Sequence, residues 1–143
     1  MLSMLAWTLM TAMVVMNAKS HTICPTSTNL CVNDNDACGK DVSGSCSSIC
    51  NCKNGQPCST DSSHTIILVP RYTEDGPYIK NYYTCVDPSE LVGCAGAQKS
   101  VNVSVSEAQD PNSAQVLCYC PPSKINIWAL NFQHYICVTP PQP

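Results

Sequence analysis

Charge is scarce in this chain of 143 residues: charged side chains make up 12%, seven basic against ten acidic. No two basic residues are adjacent, and Lys40, Lys53, Arg71, Lys80, Lys99 and Lys124 stand singly without a stripe of interleaved aromatics. That pattern excludes the usual footprint of a nucleic-acid binder or of a protein held on anionic membranes. Histidine is nearly absent too, with only His21, His64 and His134, far apart in sequence. No serine sits in a GxSxG context, so the sequence offers no nucleophile with a neighbouring base. CxxC is missing as well, which removes the spacing expected of a zinc knuckle or a thioredoxin-like centre. No enzyme activity, cofactor or metal is expected.

Long apolar runs are confined to the start. "MLSMLAWTLMTAMVVMNAKS", residues 1–20, is an acid-free apolar segment that ends in small residues, with Ala18 or Ser20 placed for cleavage. Its apolar core is too short to span a bilayer comfortably. It reads as a secretory signal, leaving residues 21–143 as a secreted, extracellular product with no membrane anchor. Without Lys19 that product has six basic and ten acidic residues, a net charge of −4.

Cysteine, by contrast, is abundant. All twelve cysteines follow the signal: Cys24, Cys31, Cys38, Cys46, Cys50, Cys52, Cys58, Cys85, Cys94, Cys118, Cys120 and Cys137. That density, in an oxidising compartment, is the mark of a disulfide framework. Seven fall in residues 21–58 and five in residues 59–143. Both counts are odd, so full pairing requires at least one bridge between the two parts, and they form a single domain. The pairing itself is open, with on the order of 10,000 connectivities for twelve cysteines. Cys50–Asn51–Cys52 and Cys118–Tyr119–Cys120 carry some geometry: on extended chain, residues two apart face one way, so each pair should send two bridges outward rather than bond internally.

The expected fold is small, disulfide-rich and mostly β: an irregular cysteine-dense part over 21–58, bridged to antiparallel hairpins over 59–143. "NGQP" at 54–57 is a turn. "HTIILVP" (64–70) and "YIKNYYTCV" (78–86) read as strands of a hairpin around "TEDGP". "SVNVSVS" (100–106) alternates strictly, with Val101, Val103 and Val105 on one face. "QVLCYC" (115–120) returns, and "INIWALNFQHYICV" (125–138) reads as one long strand with a helical turn near 128–132 as the alternative. "TPPQP" is an extended tail, and no internal repeat is evident. Asn102 lies in "NVS", the only N-glycosylation acceptor, on the polar face of its strand.

With catalysis set aside, binding remains. The longest cysteine-free stretch after the signal lies between Cys58 and Cys85, and it contains "VPRYTEDGPYIKNYY" (69–83). Arg71, Tyr72, Tyr78, Lys80, Tyr82 and Tyr83 are the candidate contact residues, because Tyr and Arg give large contact area with few rotors to freeze.

The signal segment carries a resemblance. "MLSML" followed by "AWTLMTAMVVMNA" is similar to the MLSML group of cone-snail venom precursors, which are grouped by their signals. The likeness ends with the signal; no propeptide or basic cleavage site follows, and no functional residue carries over. It implies a toxin that binds an ion channel or a receptor extracellular domain. The net negative charge disfavours a lysine plug in a potassium-channel pore. Two alternatives accompany it: a serine-protease inhibitor using the Arg71 loop, and a secreted binder of a soluble host protein.

Overall fold

A computed structural model describes residues 22–142; residues 1–20, expected from sequence to be a secretory signal, lie outside the described residues. The fold is small and mostly β. Eight strands, β1 (Ala37–Val42), β2 (Ser45–Ser48), β3 (Thr65–Thr73), β4 (Gly76–Thr84), β5 (Lys99–Asn102), β6 (Gln115–Val116), β7 (Ile125–Ala129) and β8 (His134–Val138), form one sheet. Their order is β2-β1-β4-β3-β7-β8-β5-β6.

That order is the same four-strand unit used twice. In β1–β4, β1 pairs antiparallel with β2 and with β4, and β4 with β3. In β5–β8, β5 pairs antiparallel with β6 and with β8, and β8 with β7. The units join back to back through β3 and β7, the one parallel ladder, with Leu68 opposite Asn126 and Val69 opposite Ile127. The β6 edge also returns to the first unit. Asp36 bridges Gln115, and Ala37 N–H donates to Ala114 O at 2.7 Å, so β6 closes on the approach to β1 and the sheet curls around its core.

The disulfides repeat with the strands. Cys31–Cys50 and Cys52–Cys85 brace the first unit; Cys94–Cys118 and Cys120–Cys137 brace the second. In each, the residue between the paired cysteines makes a one-residue parallel bridge, Asn51 with Leu30 and Tyr119 with Gly93. Neither Cys-x-Cys pair bonds internally, as expected, although both lie just beyond a strand rather than on one. Cys24–Cys46 and Cys38–Cys58 are additions to the first unit. All twelve cysteines are paired, and Cys52–Cys85 is the single bridge between residues 21–58 and 59–143.

Two cores lie on opposite faces of the first unit. Ala37, Ile66, Leu68, Tyr82, Val101, Val116 and Tyr135 fill the inside of the curled sheet, with Trp128 packed against them. Every strand except β2 thus contributes inward, as period-2 alternation requires. Cys38, next to Ala37 but facing the other way, joins six further cysteines in a cystine cluster capped by Tyr83. Burying that much apolar surface in a chain this small leaves the bridges to supply much of the remaining stability.

Three expectations are corrected. Residues 21–58 are not wholly irregular: β1 and β2 form a tight hairpin whose turn residues, Ser43 (φ 53°) and Gly44 (φ 83°), both adopt the left-handed conformation that two-residue hairpins need. The alternation at 100–106 stops at Asn102, because β6 offers only two residues to pair; Val105 enters a 3₁₀ turn and is 53% exposed. Residues 125–138 are two strands, not one. Phe132 and Gln133 N–H both donate to Ala129 O, at 3.0 and 2.8 Å, turning the chain tightly. The 64–86 hairpin forms as expected but is longer, with Thr73 paired to Gly76 around Glu74 and Asp75. Pro70, which lacks an N–H, falls in the register shift between Leu68 and Arg71.

Candidate functional site: the hairpin tips

The parallel β3–β7 ladder fixes the directions of the turns. β3 and β7 run the same way, so the β3–β4 turn at 74–75 and the β7–β8 turn at 130–133 leave the sheet at the same end. β1 is antiparallel to β4 and β5 to β8, which sends the 43–44 turn and the 103–114 segment to that end too. The opposite end holds Cys85, Cys94, Cys118 and Cys120, where bridges gather the strands. A covalent base therefore carries a set of projecting turns.

The first tip holds most of the expected contact residues. Arg71 and Tyr78 face each other across the β3–β4 ladder, and the Arg71 guanidinium lies over the Tyr78 ring, 5.1 Å from its centroid. Lys80 Nζ sits 5.4 Å from the same centroid, so one ring serves two cations. Tyr72, Tyr78 and Ile79 are exposed at 39%, 38% and 49%, a preorganised aromatic and aliphatic surface with Glu74 and Asp75 at its extremity. Arg71 is held in the β3–β4 strand pair, directly after the register shift, not in a free loop.

Two candidates belong elsewhere. Tyr82 is fully buried in the core and donates its hydroxyl to Pro111 O at 2.7 Å; it contributes no binding surface. Tyr83, on the other face of β4, caps the cystine cluster and borders a cleft of about 880 Å³ that also touches Tyr119, Lys124 and Asn126. Asn102 is exposed at the end of β5, where a glycan has room.

The 104–114 segment crosses the same end as a strap. Tyr135, the second unit's buried tyrosine, donates to Ala108 O at 2.6 Å, matching the Tyr82–Pro111 bond. Burial raises the pKa of both phenols above the ordinary tyrosine range. Asp110 accepts from Lys40 at 3.3 Å and lies 3.5 Å from Lys80. Partial burial works against the Asp110 charge, but these two ammonium groups prevail and lower its pKa. The pKa of Lys80 is raised, first by its hydrogen bond with the Tyr78 hydroxyl and then by Asp110.

Residues missed from the sequence lie on the second tip. Leu130 and Phe132 are 78% and 62% exposed, and Val105 shares with Trp128, Leu130 and Gln133 a shallow cleft of about 490 Å³. Reading 125–138 as one strand hid them: "LNFQ" itself alternates apolar and polar, and Asn131 is its one turn-favouring residue.

Among the described residues, catalytic geometry does not assemble around His64 or His134. His64 is committed through Nδ1 to Thr84 O at 2.9 Å, and His134 stacks against Phe132. The sulfurs of Cys31, Cys52 and Cys85 cluster, with Cys31 and Cys85 Sγ 3.7 Å apart, but they belong to two adjacent disulfides and carry no thiolate. Among the described residues no helix is long and apolar enough to cross a membrane. Comparison with known protein families, curated proteins and solved structures finds no match for this chain.

Proposed function

We propose that this is a secreted, non-enzymatic venom polypeptide that binds the extracellular face of an ion channel or receptor through its hairpin tips. The carrying observation is the shared direction of the β3–β4 and β7–β8 turns, set by the parallel Leu68–Asn126 and Val69–Ile127 pairs. Tyrosines 72 and 78, with Arg71 stacked on Tyr78, form the kind of rigid aromatic anchor that dominates binding energy. The signal resemblance supports the venom setting, and the cystine base explains how so small a chain holds its tips still. A soluble host protein remains the alternative target. The protease-inhibitor reading is weaker, because Arg71 is tied into a strand pair.

The test applies refolded, fully oxidised residues 21–143 to cells expressing a panel of channels and receptors, recorded electrically and by calcium imaging. The expected result is a saturable response at one target, weakened tenfold or more by Tyr72→Ala with Tyr78→Ala. No response across the panel, or an undiminished response from the double variant, would remove the proposal.

A further inference from the structure

Going beyond that reading, we infer that the β7–β8 tip inserts into the interface of a zwitterionic lipid bilayer, with Leu130 and Phe132 as the inserting side chains. The two large apolar side chains of the tip stand in solvent at 78% and 62% exposure. From Ile125 to Gln133 the chain carries no charge. The first tip contrasts with it, since Glu74 and Asp75 hold that extremity in water or among headgroups. The backbone is also prepared. The N–H groups of Phe132 and Gln133 both donate to Ala129 O, at 3.0 and 2.8 Å, so the turn brings its own partners into a medium that offers few. Behind it, Trp128 stacks edge-on against Tyr135 at 5.3 Å, a rigid support of the residue type that favours membrane interfaces.

Charge and area choose the occupant. Glu107, on the strap beside the tip, and the net charge of −4 over residues 21–143 repel anionic lipid and leave a neutral headgroup surface as the complementary one. Two protruding side chains bury far too little for a second copy, which needs on the order of 1,200 Å² or more. A bilayer asks only for exposed apolar side chains without charge, here on a turn whose Phe132 and Gln133 N–H groups are already bonded.

The chain carries its own probe, because Trp128 is the only tryptophan after residue 20. Refolded residues 21–143 would be titrated with phosphatidylcholine vesicles, following Trp128 emission and co-sedimentation. The expected result is a blue shift with lipid-dependent sedimentation, no stronger when phosphatidylserine is included. Leu130→Ser with Phe132→Ser should weaken partition by a factor on the order of tenfold or more. Both positions are exposed, so circular dichroism should match the parent and the oxidised mass should equal that calculated for the variant with six bridges, while Tyr72→Ser should leave partition unchanged. No partition at millimolar lipid, or equal partition by the double variant, would overturn the inference. So would a receptor response that needs Phe132 in a protein showing no lipid binding; that outcome would leave the proposed function standing.

Discussion

Removing Cys52–Cys85 tests how residues 21–58 and 59–143 hold together. This bridge spans 33 positions, and no other disulfide shortens the path between its ends. Closing a loop of that size stabilises by about 3.7 kcal/mol through the entropy of the denatured chain. Cys52 and Cys85 are 4% and 5% exposed, so truncating both to alanine also removes two well-packed sulfurs. The β1–β4 ladder still crosses between the parts, and the β3–β7 ladder still joins the two units, so the sheet should survive. In thermal unfolding the Cys52→Ala, Cys85→Ala variant should lose on the order of 15 °C in Tm. The matching bridge of the second unit, Cys120–Cys137, spans 17 positions. Its removal should cost less, about 3.1 kcal/mol by the same reasoning. Calorimetry on both variants, each with five intact bridges, would measure the pair. A loss under about 1 kcal/mol for Cys52–Cys85, or outright loss of β structure at 25 °C, would refute the reasoning.

Three further outcomes follow from the cores and the strap. Tyr82→Phe and Tyr135→Phe each orphan a carbonyl of the strap, and each should lower unfolding free energy by about 1–3 kcal/mol, with faster amide exchange confined to 104–114. Both phenols have raised pKa values in the folded chain. Their contribution is full below the ordinary tyrosine value of 10.0 and is lost as pH rises above it, so the urea midpoint should fall in strong alkali. Asp110 titrates in the opposite sense: its lowered pKa gives a contribution present above 3.8 that disappears as pH falls below it, and Asp110→Asn should flatten that acid limb. The effect should be small, because the Asp110 side chain is 60% exposed. A Cβ on Gly39 would sit 2.5 Å from Cys46 Sγ and 2.7 Å from Cys24 Sγ. Gly39→Ala should therefore refold with Cys24 and Cys46 unpaired or misbridged, read as a shifted non-reduced peptide map.

Particular residues show where the sequence was informative. Thr65–Thr73 and Gly76–Thr84 were legible because β-branched and aromatic runs flank a turn rich in Asp and Gly. Cysteine parity was legible because counting needs no geometry, and one bridge does cross between the parts. Ser43 and Gly44 were not, since Ser-Gly is a weaker hairpin signal than Asn-Gly and the flanking strands bury cystines instead of a regular apolar stripe. The repeated unit escaped notice because its loops differ so much: β1 and β2 are joined by two residues, while β5 and β6 are separated by the long strap. Only the bridge order and the pair of buried tyrosines, Tyr82 and Tyr135, preserve the pattern. Of the candidate site, Arg71, Tyr72, Tyr78 and Lys80 come together at one tip. Tyr82 does not, because alternation along β4 turns it inward while Tyr78 sits beyond the curled core.

The central claim is that one covalent base, built from a repeated bridge order, aims the tips in one direction. Peptide mapping of the non-reduced natural protein tests it most directly. The account expects no free thiol and links of Cys31–Cys50, Cys52–Cys85, Cys94–Cys118 and Cys120–Cys137, with Cys24–Cys46 and Cys38–Cys58 besides. A link within either Cys-x-Cys pair, or more than one bridge between residues 21–58 and 59–143, would contradict it.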